Sequence, residues 1–81
     1  MFTVQEAHEI LNDHDPRLIQ ELNDIARSSL EPLYKQLESP LTPEKLLQVN
    51  AEIIAYSKIK NRARELLSNY EIALEVLERE D

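Results

Sequence analysis

Apolar residues recur every seven positions along the second half of the chain, from Thr42 to Glu80. Two seams follow this repeat, and nine of their ten positions are apolar or aromatic. The first seam holds Leu46, Ile53, Lys60, Leu67 and Leu74, and the second holds Val49, Tyr56, Ala63, Tyr70 and Leu77. Such a repeat indicates a helix that packs against other helices. The stretch contains no glycine, and its one proline stands at its start. It therefore predicts one helix over 43–80, on the order of 57 Å long.

Two shorter helices are predicted before it. Thr3 and Glu6 have the spacing of a capping box, which predicts a first helix over about 3–12. Asp15 is a good N-cap and the following proline suits the first helical position, so a second helix is expected over about 16–38. Pro32 lies inside that second helix and cannot donate a backbone hydrogen bond. A kink near Ser28, or a fresh helix start beside it, is expected there.

The lengths leave two arrangements open. The first two helices together match the third, so they can lie end to end along it as a long antiparallel hairpin with a broken first arm. Alternatively the first helix folds back to form a three-helix bundle. Both are all-α, and at this length we expect a single helical domain over 1–81.

The apolar surface of the long helix is wider than a two-helix hairpin needs, because such a hairpin has only one narrow seam. Its last turns are the part that we expect the chain itself to cover least. We therefore predict a partner interface there, formed by Leu66, Tyr70, Ala73, Leu74 and Leu77. The expected partner is a protein, with a second copy of this chain preferred.

Composition excludes several classes of site. The 81 residues include no Cys and no Gly, so disulfides, thiolate metal sites and Gly-rich phosphate loops are excluded. The formal net charge of −7 disfavours binding to nucleic acid or anionic membranes. No signal peptide or membrane span is visible, so we expect a protein of the cytoplasm, or of a larger assembly in a reducing compartment.

Two charged clusters are candidate sites. Lys58, Lys60, Arg62 and Arg64 form the one basic cluster, for which we favour ion pairs within the chain over a phosphate contact. With a turn near Leu41, Lys60 would face Glu21 and Lys58 would face Asp24. The second cluster is an acidic surface near the C-terminus, formed by Glu71, Glu75 and Glu78, and continued by Glu80 and Asp81. It opposes the helix dipole, which suggests a basic partner, although a solubilising helix end is the simpler interpretation.

The sequence contains few residues in arrangements that could support catalysis. His8 and His14 are six residues apart and fall on different helix faces, so no metal site is expected. The serines have no visible base and orienting group. We expect no enzyme activity, no cofactor and no small-molecule substrate. The favoured function is a non-catalytic interaction or structural subunit that self-associates or docks on a larger assembly. The alternative is an acidic inhibitor or nucleic-acid mimic that blocks a basic surface.

Overall fold

The computed structural model describes residues 2–80, without the side chain of Glu80, and contains three α-helices. They are α1 (Val4–Asp13), α2 (Pro16–Gln36) and α3 (Pro43–Glu80). The all-α prediction is confirmed, and every helix boundary lies within two residues of its predicted position. Asp81, the last residue of the predicted acidic cluster, lies outside the described residues.

The helix starts form as the local sequence predicts. The Thr3 hydroxyl accepts a hydrogen bond from the Glu6 backbone N–H at 3.2 Å, and the Thr3 backbone N–H donates to Glu6 Oε1 at 3.2 Å. Asp15 Oδ1 accepts from the backbone N–H of Arg17 at 2.9 Å at the start of α2. Thr42 Oγ1 accepts from the Lys45 N–H at 3.2 Å at the start of α3. These bonds satisfy amides that have no partner within their own helix.

The break between α1 and α2 is only two residues long. His14 closes α1 with its backbone N–H and its ring Nδ1, which lie 3.1 and 2.9 Å from the Ile10 carbonyl oxygen. His14 and Asp15 are both extended, as expected for a chain that approaches a proline. The break therefore redirects the chain without adding a loop.

The helices form the hairpin rather than the bundle. Both α1 and α2 pack against α3, and among the described residues they do not pack against each other. The molecule measures 58 × 17 × 17 Å, so its length is that of α3 alone. The first arm is thus broken, with α1 and α2 laid end to end along α3.

Pro32 does not interrupt α2, which runs as one helix from Pro16 to Gln36. The expected fresh start beside Ser28 is therefore wrong. Pro32 and Ser28 are both exposed, so water can reach the Ser28 carbonyl that the missing proline N–H leaves without a helical partner.

The core is narrow and is built largely from small side chains. The buried apolar residues are Ala7, Ile19, Ala26, Leu30, Leu33, Val49, Ala63, Ala73 and Val76. Every residue of the second predicted seam is buried or half-buried, which confirms that seam. At the far end Ala7 packs with Ala73 and Val76, flanked by Phe2 and Leu77. Alanine side chains at this contact let α1 approach α3 closely, but they bury little apolar area.

Candidate interaction surfaces

One long side of the hairpin is apolar and lacks a covering element. Leu18, Leu22 and Ile25 project from α2, and Ile59 projects from α3; each is between 45% and 55% exposed. Ile19, Leu22, Ile59, Ala63 and Leu66 line an open cavity of about 300 Å³ on this side, together with Lys58 and Arg62. We call this surface the apolar side. Apolar side chains gathered in one strip are typical of a contact surface.

Helix spacing explains the strip. Leu18, Leu22 and Ile25 are separated by four and three residues, so they form one row along α2, beside the row that faces α3. The structure shows that the apolar residues of α2 are too numerous for one seam. The helix uses Ile19, Ala26, Leu30 and Leu33 against α3 and leaves the neighbouring row in solvent.

The opposite side of the contact between α2 and α3 is polar. Asn23, Arg27, Lys60 and Arg64 line a cavity of about 340 Å³, which we call the cationic notch. Asn23 is 7% exposed, and its side-chain Oδ1 is buried without a hydrogen-bond partner. Arg27 and Arg64 are exposed, whereas Lys60, at its seam position, is half-buried. Three cations therefore converge around one buried amide.

The predicted basic cluster is thus divided between the two sides. Residues two apart on a helix point roughly 200° apart, so Lys58 and Arg62 border the apolar side while Lys60 and Arg64 border the cationic notch. Arg27, which the sequence analysis did not single out, completes the notch from α2. Its position could be inferred only once the register of the hairpin was known.

The expected ion pairs across the hairpin are wrong. Among the described residues the ion pairs are Lys35 with Glu31, at 3.9 Å, and Arg62 with Glu65, at 2.8 Å. Both lie within one helix and are solvent-exposed. Lys60 lines a cavity with Asn23 and Arg27 rather than with Glu21, because Glu21 lies about 200° around α2 from Asn23 and is exposed to solvent.

The predicted partner interface is only partly accessible. Ala73 is completely buried against α1, and Leu66, Tyr70 and Leu77 are half-buried. Leu74 is 40% exposed. The expectation that the chain covers this stretch least is wrong, because α1 packs along it. Contact between a partner and the exposed parts of these residues stays a prediction.

The acidic surface is exposed at each of the positions that define it. Glu71, Glu75 and Glu78 all lie in solvent, and none of them takes part in the two ion pairs of the described residues. Glu71 borders a shallow cavity with Arg64 and Gln20. A role for these carboxylates toward a basic target remains a prediction.

Residues 2–80 contain neither a metal-binding cluster nor a membrane-spanning helix. No group of three or more His, Cys, Asp or Glu side chains in this range could hold a metal ion. None of the helices described there is both long enough and apolar enough to span a bilayer. His14 is instead bonded to its own helix end, as described above.

Comparison of the chain with protein-family models, with curated proteins and with solved structures finds no match.

Proposed function

We propose that the protein is a non-catalytic structural subunit that self-associates through its apolar side. The observation that carries this proposal is the strip of Leu18, Leu22, Ile25 and Ile59, whose side chains are about half exposed beside an apolar cavity. The partner to which we commit is a second copy of the chain. Two hairpins packed side by side would place these residues in the centre of a four-helix layer.

The amount of exposed surface supports a second copy. The chain exposes 6161 Å² at a mass of 9.5 kDa. A compact monomer of that mass exposes about 5,000 Å², so the excess is about 1,100 Å². The excess comes from the elongated 58 × 17 × 17 Å shape, whose long sides offer extended surface for the roughly 800 Å² that each partner of a standard interface buries.

The small core points in the same direction. Of the nine buried apolar residues four are alanine, and Val49 is the largest side chain that is fully buried. Small domains without disulfides or metals often obtain their remaining stability by oligomerisation. A two-fold contact is the simplest form, because it uses the same patch on both copies.

Light scattering coupled to gel filtration, over a concentration series from micromolar upwards, tests the proposal. We expect the mass of a dimer, and a shift toward monomer of at least tenfold for Leu22→Glu and for Ile59→Glu, because each would bury a charge in the contact. Leu47→Glu is the matched control. Leu47 is 72% exposed and lies roughly 120° around α3 from Ile59.

The control variant should keep the wild-type mass. A wild-type chain that stays monomeric at hundreds of micromolar would overturn self-association. Equal weakening by Leu47→Glu and Leu22→Glu would place the contact elsewhere on the molecule. Circular dichroism of each variant establishes that the helices are intact.

A further inference from the structure

The cationic notch has a composition that folding alone does not favour. Arg27, Lys60 and Arg64 bring three positive charges to one cavity, although the chain has only nine Lys and Arg residues and a net charge of −7. None of the three takes part in the two ion pairs of the described residues, although Glu31 borders Arg27 and Lys60, and Glu71 borders Arg64. Such convergence is typical of an anion-binding site.

Asn23 is the second, independent observation. Its side chain is more than nine-tenths buried, lines the notch, and has an oxygen without a hydrogen-bond partner. A buried, unsatisfied polar atom costs about 1–3 kcal/mol, so an apolar residue at this position would make the contact between α2 and α3 more stable. The amide also carries an NH₂ group that can donate to an anion, and its oxygen, which is unpaired in the free protein, can accept from a surrounding cation that moves on binding.

From these two observations we infer that the cationic notch binds a small, multiply charged oxyanion of the phosphate class. The two guanidinium groups can each donate a pair of parallel hydrogen bonds to phosphate oxygens, and Lys60 supplies a third charge from the seam. With a volume of about 340 Å³, the notch lies at the lower end of the range for small-molecule sites.

The surroundings favour a small ligand over a polyanion. Glu31 borders Arg27 on one flank of the notch, and Glu71 borders Arg64 on the other. A nucleic acid would have to continue past these carboxylates, and its backbone charge would be repelled there. A compact ion can sit between the flanks. The inference concerns binding only and involves no bond making or breaking.

Titration with inorganic phosphate, followed by calorimetry and by amide NMR shifts at constant ionic strength, tests this inference. The wild-type chain should show saturable binding, with the largest shifts around Asn23 and Lys60. Arg27→Gln and Arg64→Gln should each weaken binding about tenfold, since each removes charge-assisted hydrogen bonds. Both arginines are exposed, so the fold should survive either change.

Lys58→Gln is the matched control, because it removes the same charge from the same helix but on the apolar side. It should leave the phosphate affinity within about twofold of wild type. Absence of saturable binding would overturn the inference, as would equal binding of acetate. Equal losses in Lys58→Gln and Arg64→Gln, or no loss in either arginine variant, would also overturn it. Leu22→Glu separates this site from the proposed self-association, since that variant should still bind phosphate.

Discussion

At the scale of single residues, Asn23 is the clearest departure from what the seam requires. A polar side chain that is almost wholly buried, with its oxygen unpaired, lowers stability unless something binds to it. The same position in an unliganded helical hairpin would ordinarily be apolar. Retention of the amide thus has a cost in folding free energy that an apolar residue of similar size would remove.

We predict that Asn23→Leu raises the free energy of unfolding by about 1 kcal/mol in phosphate-free buffer. Leucine has the same number of side-chain heavy atoms and the same branching as asparagine, so it removes the unpaired oxygen without leaving a cavity. Urea unfolding followed by circular dichroism measures the change. Asn61→Leu, on the exposed surface of α3, is the control and should stay within about 0.5 kcal/mol of wild type. A less stable Asn23→Leu would show that the buried oxygen has a partner.

At the scale of the helices, the starts were predictable and the lateral surfaces were not. Thr3, Asp15 and Thr42 cap their helices through bonds that span at most three residues, so the local sequence contains all the information required. The neighbours of Lys60 depend on which residues of α2 face α3. Glu21 and Asn23 are two residues apart and point to nearly opposite sides of α2, and it is Asn23 and Arg27 that line the cavity with Lys60.

The same reasoning explains why the sequence alone does not predict that the apolar row of α2 is exposed. Leu18 and Leu22 stand one row beside Ile19 on the helix, and periodicity identifies an apolar face without stating how much of it a neighbour covers. How much of an apolar face is covered depends on how many helices pack side by side at that point along the hairpin. Here that number is two, because α1 and α2 follow each other along α3 rather than lying side by side.

Two prolines occupy helix positions with opposite preferences for proline, one inside α2 and one at the start of α3. Pro32 lies inside α2, where proline is about 3 kcal/mol less favourable than alanine. Alanine there also gives the unfolded chain more freedom, which offsets about 0.4–1 kcal/mol of the gain. We expect Pro32→Ala to stabilise the protein by about 2–2.6 kcal/mol, measured by urea unfolding. Pro43→Ala is the matched control at the first position of α3, where proline is favourable. It should be neutral or slightly destabilising, and a gain equal to that of Pro32→Ala would contradict this account.

At the scale of the whole molecule, the hairpin has two different long sides. The apolar side holds half-exposed Leu and Ile, and the polar side holds the cationic notch, with the acidic surface farther along α3. Each side suggests a different way for two copies to meet. Contact through the apolar sides buries hydrophobic area, whereas contact through the polar sides would pair Lys60 and Arg64 with Glu71 and Glu75 of the other copy.

The salt dependence of association distinguishes these two modes, because screening strengthens contact through the apolar sides and weakens contact through the polar sides. Each copy carries a net charge of −7, so two copies repel as they approach, and added sodium chloride weakens that repulsion. Association through the apolar side should therefore tighten several-fold as the salt rises from about 50 to 500 mM. Sedimentation velocity at each salt concentration measures the dissociation constant.

Association through paired acids and bases would weaken over the same range, since its attractive contacts are the ones that salt screens. Tightening in the wild type, with Leu22→Glu monomeric at every salt concentration, would assign the contact to the apolar side and leave the cationic notch open to its ligand.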